Sequence, residues 1–425
     1  MSIALPDIGA RAARHITRGA LPNGVTWSLW SEPRDPLLAI NVWVRAGSAD
    51  EEPGATGSAH FLEHLMFRGT QAVPDGAFDA EMERMGALIN AATWIDSTFY
   101  ATQALPAALR AVLALEADRF AGLSLTDEVV SAERRVVANE RRQVVDAVPE
   151  ALLHEALWER AQPGSPYAWP VIGWADDIED YSPATASRFF ARCYAPGRIH
   201  VSVVGPLEPR ELSDALEATF GALADGGAAP PIHPGAPNTP GARTRSELAI
   251  NSPQPRLAIA WPAPPRSAPT FPAYWLAHQL LAGADASRWP LALEVEGDLA
   301  LDVHSDLTES RLGAPLTLGG LLREGVGVDD ALGAVDAALE RLAEEGVPHD
   351  ERERVRVGTA SDDARHLATT GARAEWMGEG WIHFGDARAL FERHDEGFDV
   401  PSEDVQRVAK TLLEGPRTVV VGVPQ

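Results

Sequence analysis

Lysine is almost absent from this sequence: Lys410 stands alone, and the other basic residues are arginine. Basic residues of both kinds number 36 against 61 acidic ones, for a net charge of -25. A phosphate backbone is repelled by such a surface, which argues against nucleic acid as a partner and leaves neutral or basic peptides acceptable. Cysteine is equally scarce. Cys193 has no second cysteine to pair with, so an internal disulfide is excluded. The opening stretch MSIALPDIGARAARHITRG lacks the continuous apolar core of a secretory signal. The cytoplasm is the expected compartment, or the periplasm had a leader been removed. No run reaches the roughly 18 to 20 apolar residues that span a bilayer, so no membrane insertion is expected.

What is present is enough material for a large interior. A chain of 425 residues exceeds one ordinary core, so two domains are expected. Residues 25–31 and 37–46 alternate apolar and polar positions and read as strands. The turn GSADEEPGATGS follows, with Thr56 or Ser58 able to cap the next helix. Further strands are expected near 87–93, 97–104 and 199–205, with helices near 106–121, 126–147 and 150–161. Residues 223–246 are rich in Gly, Pro and Ala without any period and read as a linker. A similar order then recurs: strand 257–261, helix 271–283, strands 299–306 and 313–321, helices over 328–369 and strand 418–423. The expected fold is α+β, with two homologous domains at 1–222 and 247–425, each a largely antiparallel sheet packed with helices.

The stretch HFLEHLMFRGT at 60–70 places His60 and His64 four residues apart, side by side on one helical face, with Glu63 next to them. Catalytic zinc takes three protein ligands and keeps one position for water, which a nearby carboxylate can deprotonate. The order of the motif is that of the inverzincins. A third ligand is sought in VVSAERRVVANERRQV at 129–144. Glu133 and Glu140 fall about 20 degrees apart around a helix, on a stripe with Val129, Val130, Val136, Val137 and Val144. Two acids on an apolar stripe need a compensating cation.

Together with LPNG at 21–24, NAATWIDSTFYATQ at 90–103, SPYAWPVIG at 165–173 and YAPGRIHVSVVG at 194–205, these stretches resemble the pitrilysin/insulinase-type zinc peptidases. The likeness is to the mitochondrial processing peptidase-like branch and, within it, to the zinc-bearing subunit. It implies a pitrilysin-like roll, a zinc ion held by His60, His64 and Glu140, and Glu63 as the base that activates a zinc-bound water to hydrolyse bonds of unfolded peptides. It implies that Glu133 supports the site from behind. Asn90, Ala91, Ala92 and Thr93 then pair with the substrate backbone. Family members that act alone carry an arginine and a tyrosine seven residues apart in the second half, where this chain has Glu294 and Leu301. Arg288 and Arg311 are the nearby alternatives for the arginine. The resemblance therefore implies a heterodimer with a homologous partner supplying the arginine and tyrosine. The other reading is a noncatalytic structural subunit of a larger assembly.

Overall fold

The computed structural model describes residues 8–224 and 241–425. Eleven strands among these residues form two sheets. The first contains β1 (Ile16–Ala20), β2 (Thr26–Ser31), β3 (Leu38–Val44), β4 (Leu88–Thr93), β5 (Thr98–Ala104) and β6 (Ile199–Gly205), in the order β1-β2-β6-β3-β5-β4. The second contains β7 (Thr244–Ile250), β8 (Arg256–Trp261), β9 (Ala300–Leu307), β10 (Leu316–Leu322) and β11 (Thr418–Pro424), in the order β7-β11-β8-β10-β9. Each sheet has a single parallel pair, β2 with β6 and β7 with β11; all other pairs are antiparallel. Leaving β1 aside, the two orders superimpose strand for strand. The second half thus repeats the first in topology, although little of the repeat survives as sequence identity.

Several local expectations need correction. β1 was not foreseen, because ITRGA buries one residue of five and carries no apolar period. Gly19 within it is required by packing: a Cβ there would lie 2.3 Å from the Trp27 indole. β7 begins at Thr244, ahead of the expected linker end, since TRSELAI is polar along most of its exposed side. Residues 225–240, most of that linker, lie outside the described residues. The helix expected over 126–147 is a regular helix, Asp127–Arg141, continued by a π-helical turn, Arg142–Asp146. The 328–369 stretch is two helices, Val328–Glu345 and His349–His366, divided at Gly346 and Pro348.

β3 and β6 are buried along their whole length, which requires cover on both faces. The helices on one face come from the same half; the cover on the other face comes from the opposite half. The helix Thr370–Phe384 lies on the first sheet, where Ala374 and Met377 pack with Ala39 of β3 and Val204 of β6. The helix Pro149–Ala161 lies on the second, where Leu153, Leu157 and Ala161 pack with Ala258, Ala260 and Val420. Each half closes the core of the other.

Candidate metal centre and peptide cleft

The helix Ser58–Leu65 is fixed at its start by a buried carboxyl rather than by the expected hydroxyl. Its N-cap is Gly57 at φ +83, with no side-chain cap. The Gly57 and Ala59 amides donate to the Glu51 carboxylate at 2.8 Å each, so a fully buried acid meets the positive end of the helix dipole. Thr56 instead donates to Asp177, and Ser58 to the Ala55 carbonyl, both at 2.5 Å. Tyr181 stacks on Phe61 at 3.9 Å and donates to the Ser58 carbonyl at 3.1 Å. The neighbouring helix Asp127–Arg141 is held at its far end by Arg141, which donates to both Glu155 oxygens at 2.9 and 3.0 Å and to the Gly173 carbonyl at 2.6 Å.

These two helices bring His60, His64 and Glu140 together. His60 Nε2 is 3.7 Å from Glu140 Oε1, and His64 Nε2 is 3.4 Å from Glu140 Oε2. One donor atom from each of the three lies within 4.8 Å of the others. Zinc bonds of about 2.0 to 2.1 Å in a tetrahedral site set ligand atoms roughly 3.3 to 3.4 Å apart. The observed separations fit that spacing better than they fit hydrogen bonds, which run about 2.7 to 3.2 Å. Burial and the nearby His64 push His60 down to about 3, so its imidazole is neutral, the form a cation requires.

Glu133 is turned the other way. It accepts from His64 Nδ1 at 2.9 Å and lies 3.3 Å from Arg68 Nε. That bond sets the His64 tautomer and leaves Nε2 facing Glu140. Burial would lower the His64 pKa, but the Glu133 hydrogen bond and the charges of Glu133, Glu140 and Glu63 raise it. Glu63 accepts from the Thr93 hydroxyl at 2.5 Å. Burial raises the Glu63 pKa, partly offset by that hydrogen bond. The valine stripe is narrower than its period suggests. Val130 and Val137 are buried, whereas Val136 and Val144 are 50% and 49% exposed, and the π-helical turn that begins at Arg142 shifts the register before Val144.

Asn90, Ala91, Ala92 and Thr93 lie on β4, which pairs with β5 alone and forms one edge of the first sheet. Trp94 follows, 58% exposed. A cavity of about 780 Å³ begins there, lined by Trp94, Trp169, Ile172 and residues of the Pro149–Ala161 helix and β10. Trp174 lies outside its lining.

Glu294 and Leu301 stand at the two positions where the resemblance leads one to expect the arginine and the tyrosine. Glu294 sits in a π-helical turn, Leu291–Glu296, and Leu301 on β9 is 46% exposed. The two alternative arginines are committed elsewhere. Arg288 donates to both Glu351 oxygens at 3.0 Å. Arg311 donates to Asp96 through its side chain at 2.9 Å and to Asp50 at 3.2 Å. Tyr167 also donates to Asp96, at 2.9 Å. This buried clasp joins the β4–β5 turn to the second half, and sequence reading missed it because its members are far apart in the chain.

Two profiles of one peptidase family match in succession: Insulinase (Peptidase family M16) over residues 29–173, and Peptidase M16 inactive domain over residues 181–357. The chain belongs to the M16 peptidase family, whose members include zinc proteases. It is 33% identical over 215 residues to the zinc protease PqqE of Helicobacter pylori, covering 50% of this chain and 48% of that protein. It is 32% identical over 202 residues to cytochrome b-c1 complex subunit 1 of Bos taurus, covering 47% and 42%. To the probable mitochondrial-processing peptidase subunit beta of Schizosaccharomyces pombe it is 30% identical over 203 residues, covering 48% and 44%. The matched region thus spans about half the length of these curated relatives. A crystal structure of a protease from Helicobacter pylori has the same fold, with a TM-score of 0.90 at 23% identity over 96% of this chain and 99% of that one.

Proposed function

We propose that the chain is a zinc metalloendopeptidase acting on unfolded peptides. The observation that carries this reading is the spacing of the His60, His64 and Glu140 donor atoms beside a carboxylate, Glu63, that is free to do chemistry. His60, His64 and Glu140 would hold the ion. Zinc, when bound, supplies Lewis acidity, polarising a carbonyl and making water a better acid. Glu63 takes the proton of the attacking water and returns it to the leaving amine. The Thr93 hydroxyl orients its carboxylate, and burial raises its proton affinity so that the proton is held between the two transfers. Glu133 keeps His64 in the ligating tautomer. Main-chain pairing along Asn90, Ala91, Ala92 and Thr93 would accept many sequences, provided the peptide can lie extended.

The same reading makes the chain the catalytic subunit of a heterodimer in the cytoplasm, its homologous partner supplying an arginine and a tyrosine. Supporting it are Glu294 and Leu301 at the expected places and the commitment of Arg288 and Arg311 to carboxylates. Similarity to a cytochrome b-c1 complex subunit favours a second reading, a noncatalytic subunit. Four site groups in working arrangement weigh against it. Among the described residues no helix is long and apolar enough to cross a membrane.

The test combines metal analysis with peptide mass spectrometry. One zinc per chain is expected, retained in Glu63→Gln and lost in Glu140→Ala; unchanged zinc in the latter overturns the ligand set. Cleavage of unstructured peptides by the chain with its co-purified partner should fall by about 10² to 10⁴ in Glu63→Gln. Full cleavage by the chain alone refutes the heterodimer and leaves the peptidase standing. Bound zinc with no cleavage even beside the partner favours the noncatalytic reading.

A further inference from the structure

Two loops of the first half meet beside the metal centre. Residues 47–51 lead toward the metal-site helix, and Glu51 at their end accepts from the Gly57 and Ala59 amides where that helix starts. Residues 94–97 form the β4–β5 turn and directly follow Thr93, whose hydroxyl donates to Glu63. The backbone stitches the loops together: the Ser48 amide donates to the Trp94 carbonyl at 3.1 Å, and the Ala49 amide to the Ile95 carbonyl at 2.8 Å. The next residue of each loop is a buried acid, Asp50 in one and Asp96 in the other. Burial raises the Asp50 pKa, Arg311 and the Gly47 amide lower it, and the charge of Asp96 raises it again. Left to themselves, the two carboxylates would push the loops apart.

The second half supplies the cation that holds them. Arg311 stands on the connection between β9 and β10 and spans both acids with one guanidinium, Nε to Asp96 at 2.9 Å and Nη2 to Asp50 at 3.2 Å; its own amide donates to Asp96 at 2.6 Å. Tyr167 donates to Asp96 and in turn accepts from the Leu312 amide at 3.0 Å. Burial would lower the Arg311 pKa, but Asp50 and Asp96 raise it, so the charge is secure. The loop that presents Arg311 is stiff. The buried Ser310 hydroxyl accepts from the Gly313 and Ala314 amides at 3.1 and 2.7 Å. Gly313 has φ +97, and a Cβ on it would stand 2.7 Å from the Ala263 carbonyl oxygen.

We infer that Arg311 is a positioning residue for hydrolysis, lent by the second half, which fixes the edge strand β4 against the metal-site helix by tying Asp96 to Asp50. The inference rests on the peptidase reading and on edge pairing at β4. His60, His64 and the base Glu63 travel with the helix; a peptide paired to β4 travels with that strand. Binding needs only the strand, and metal retention needs the helix and Glu140. Turnover needs the strand and the helix in register with each other, because a misplacement of about 1 Å at the reacting atoms can cost about 10²-fold in rate. Removing the guanidinium therefore acts on the chemical step and spares the two kinds of binding. The second half contributes to the reaction without touching the reacting groups.

The experiment compares Arg311→Met, Arg311→Lys and Arg288→Met with the native chain, each zinc-loaded and beside the co-purified partner, by steady-state cleavage of an unstructured peptide, zinc content and thermal melts. Arg311→Met should lower kcat about 10²-fold while KM and zinc content stay within about twofold of native. Arg311→Lys should recover about tenfold of that loss, since an ammonium reaches one carboxylate where the guanidinium reaches two; it carries the test by itself if Arg311→Met fails to fold. Arg288→Met is the control for stability alone: it strands the buried partner Glu351 elsewhere in the second half, so the melting temperature should fall while kcat holds. An unchanged kcat in Arg311→Met, an equal loss in Arg288→Met, or a loss carried by KM or by zinc content overturns the inference. Absence of cleavage by the native chain with its partner refutes the peptidase reading instead. The coupling of strand to helix is then read by hydrogen–deuterium exchange, where Arg311→Met should speed the amides of 47–51 and 93–98 together; unchanged exchange there overturns the coupling as well.

Discussion

Glu133 and Glu140 are chemically identical and seven residues apart, yet the structure turns them toward different partners. Glu140 faces the Nε2 atoms of both histidines, whereas Glu133 faces His64 Nδ1 and Arg68. Replacing Glu133 by glutamine keeps an acceptor for the histidine but removes the charge. Zinc affinity measured by chelator competition should fall about 10- to 100-fold in Glu133→Ala and less in Glu133→Gln. Equal, unchanged affinity in both would mean that the tautomer of His64 needs no help. The positions of His60, Glu63 and His64 were legible in the sequence because their relation is local and follows from helical spacing. The different parts of the two glutamates were not legible from periodicity, which puts both on one stripe; only the family resemblance separated them. That separation depends on how the Asp127–Arg141 helix meets the Ser58–Leu65 helix, and the contacts that anchor its end, Arg141 to Glu155 and to the Gly173 carbonyl, are not revealed by periodicity. The Arg311 clasp was invisible for a related reason, since Asp50 and Asp96 lie 261 and 215 residues away in the chain.

At the level of elements, the metal-site helix owes its place to a turn with no room for a side chain. Gly57 has φ +83, and a Cβ on it would stand 2.4 Å from the Ile172 carbonyl oxygen. Gly54 has φ +82 but open space around it. Gly57→Ala should therefore lower the melting temperature by several degrees and weaken zinc binding by displacing the helix. Gly54→Ala should show only the backbone strain, about 1 kcal/mol, with zinc affinity intact. Thermal melts and metal titrations of the pair separate the two effects. A second link joins elements through charge. His394 bonds Asp363, near the end of the His349–His366 helix, at 2.9 Å and Asp395 at 2.7 Å. Burial alone would lower its pKa, but the two aspartates raise it. A raised folded-state value means stabilisation that is complete below the unfolded pKa of about 6.5 and lost as pH climbs through the raised one. The melting-temperature gap between the native chain and His394→Gln should accordingly be wider at pH 6 than at pH 9; an equal gap would show that the charge contributes nothing. The strands were the most legible elements, because β-branched alternation marks β2, β3, β5 and β6 directly. Polar edge strands such as β1 and β7 were the least legible.

The whole molecule is organised as a repeat whose two copies exchange a helix. Trp43 of β3 shows how close that exchange is: a Cβ on Gly378 of the Thr370–Phe384 helix would fall 1.9 Å from its indole. Domain limits drawn along the sequence therefore do not mark units that are finished by themselves. Fragments 1–224 and 241–425, produced together, should co-purify as a complex able to bind zinc. Produced separately, each should aggregate, since a buried sheet face is left bare. A soluble, monomeric 1–224 fragment with native zinc affinity would show that the exchanged helix is dispensable.

The exchange also sets an order of events in time. The first sheet has all its strands once Gly205 has been made, but β3 and β6 keep one face open until residues 370–384 emerge. At about 5 to 20 residues per second, that is a delay on the order of ten seconds or more. The half that carries His60, His64 and Glu140 is made first and covered last, so its sheet becomes fully buried only after most of the second half has been made.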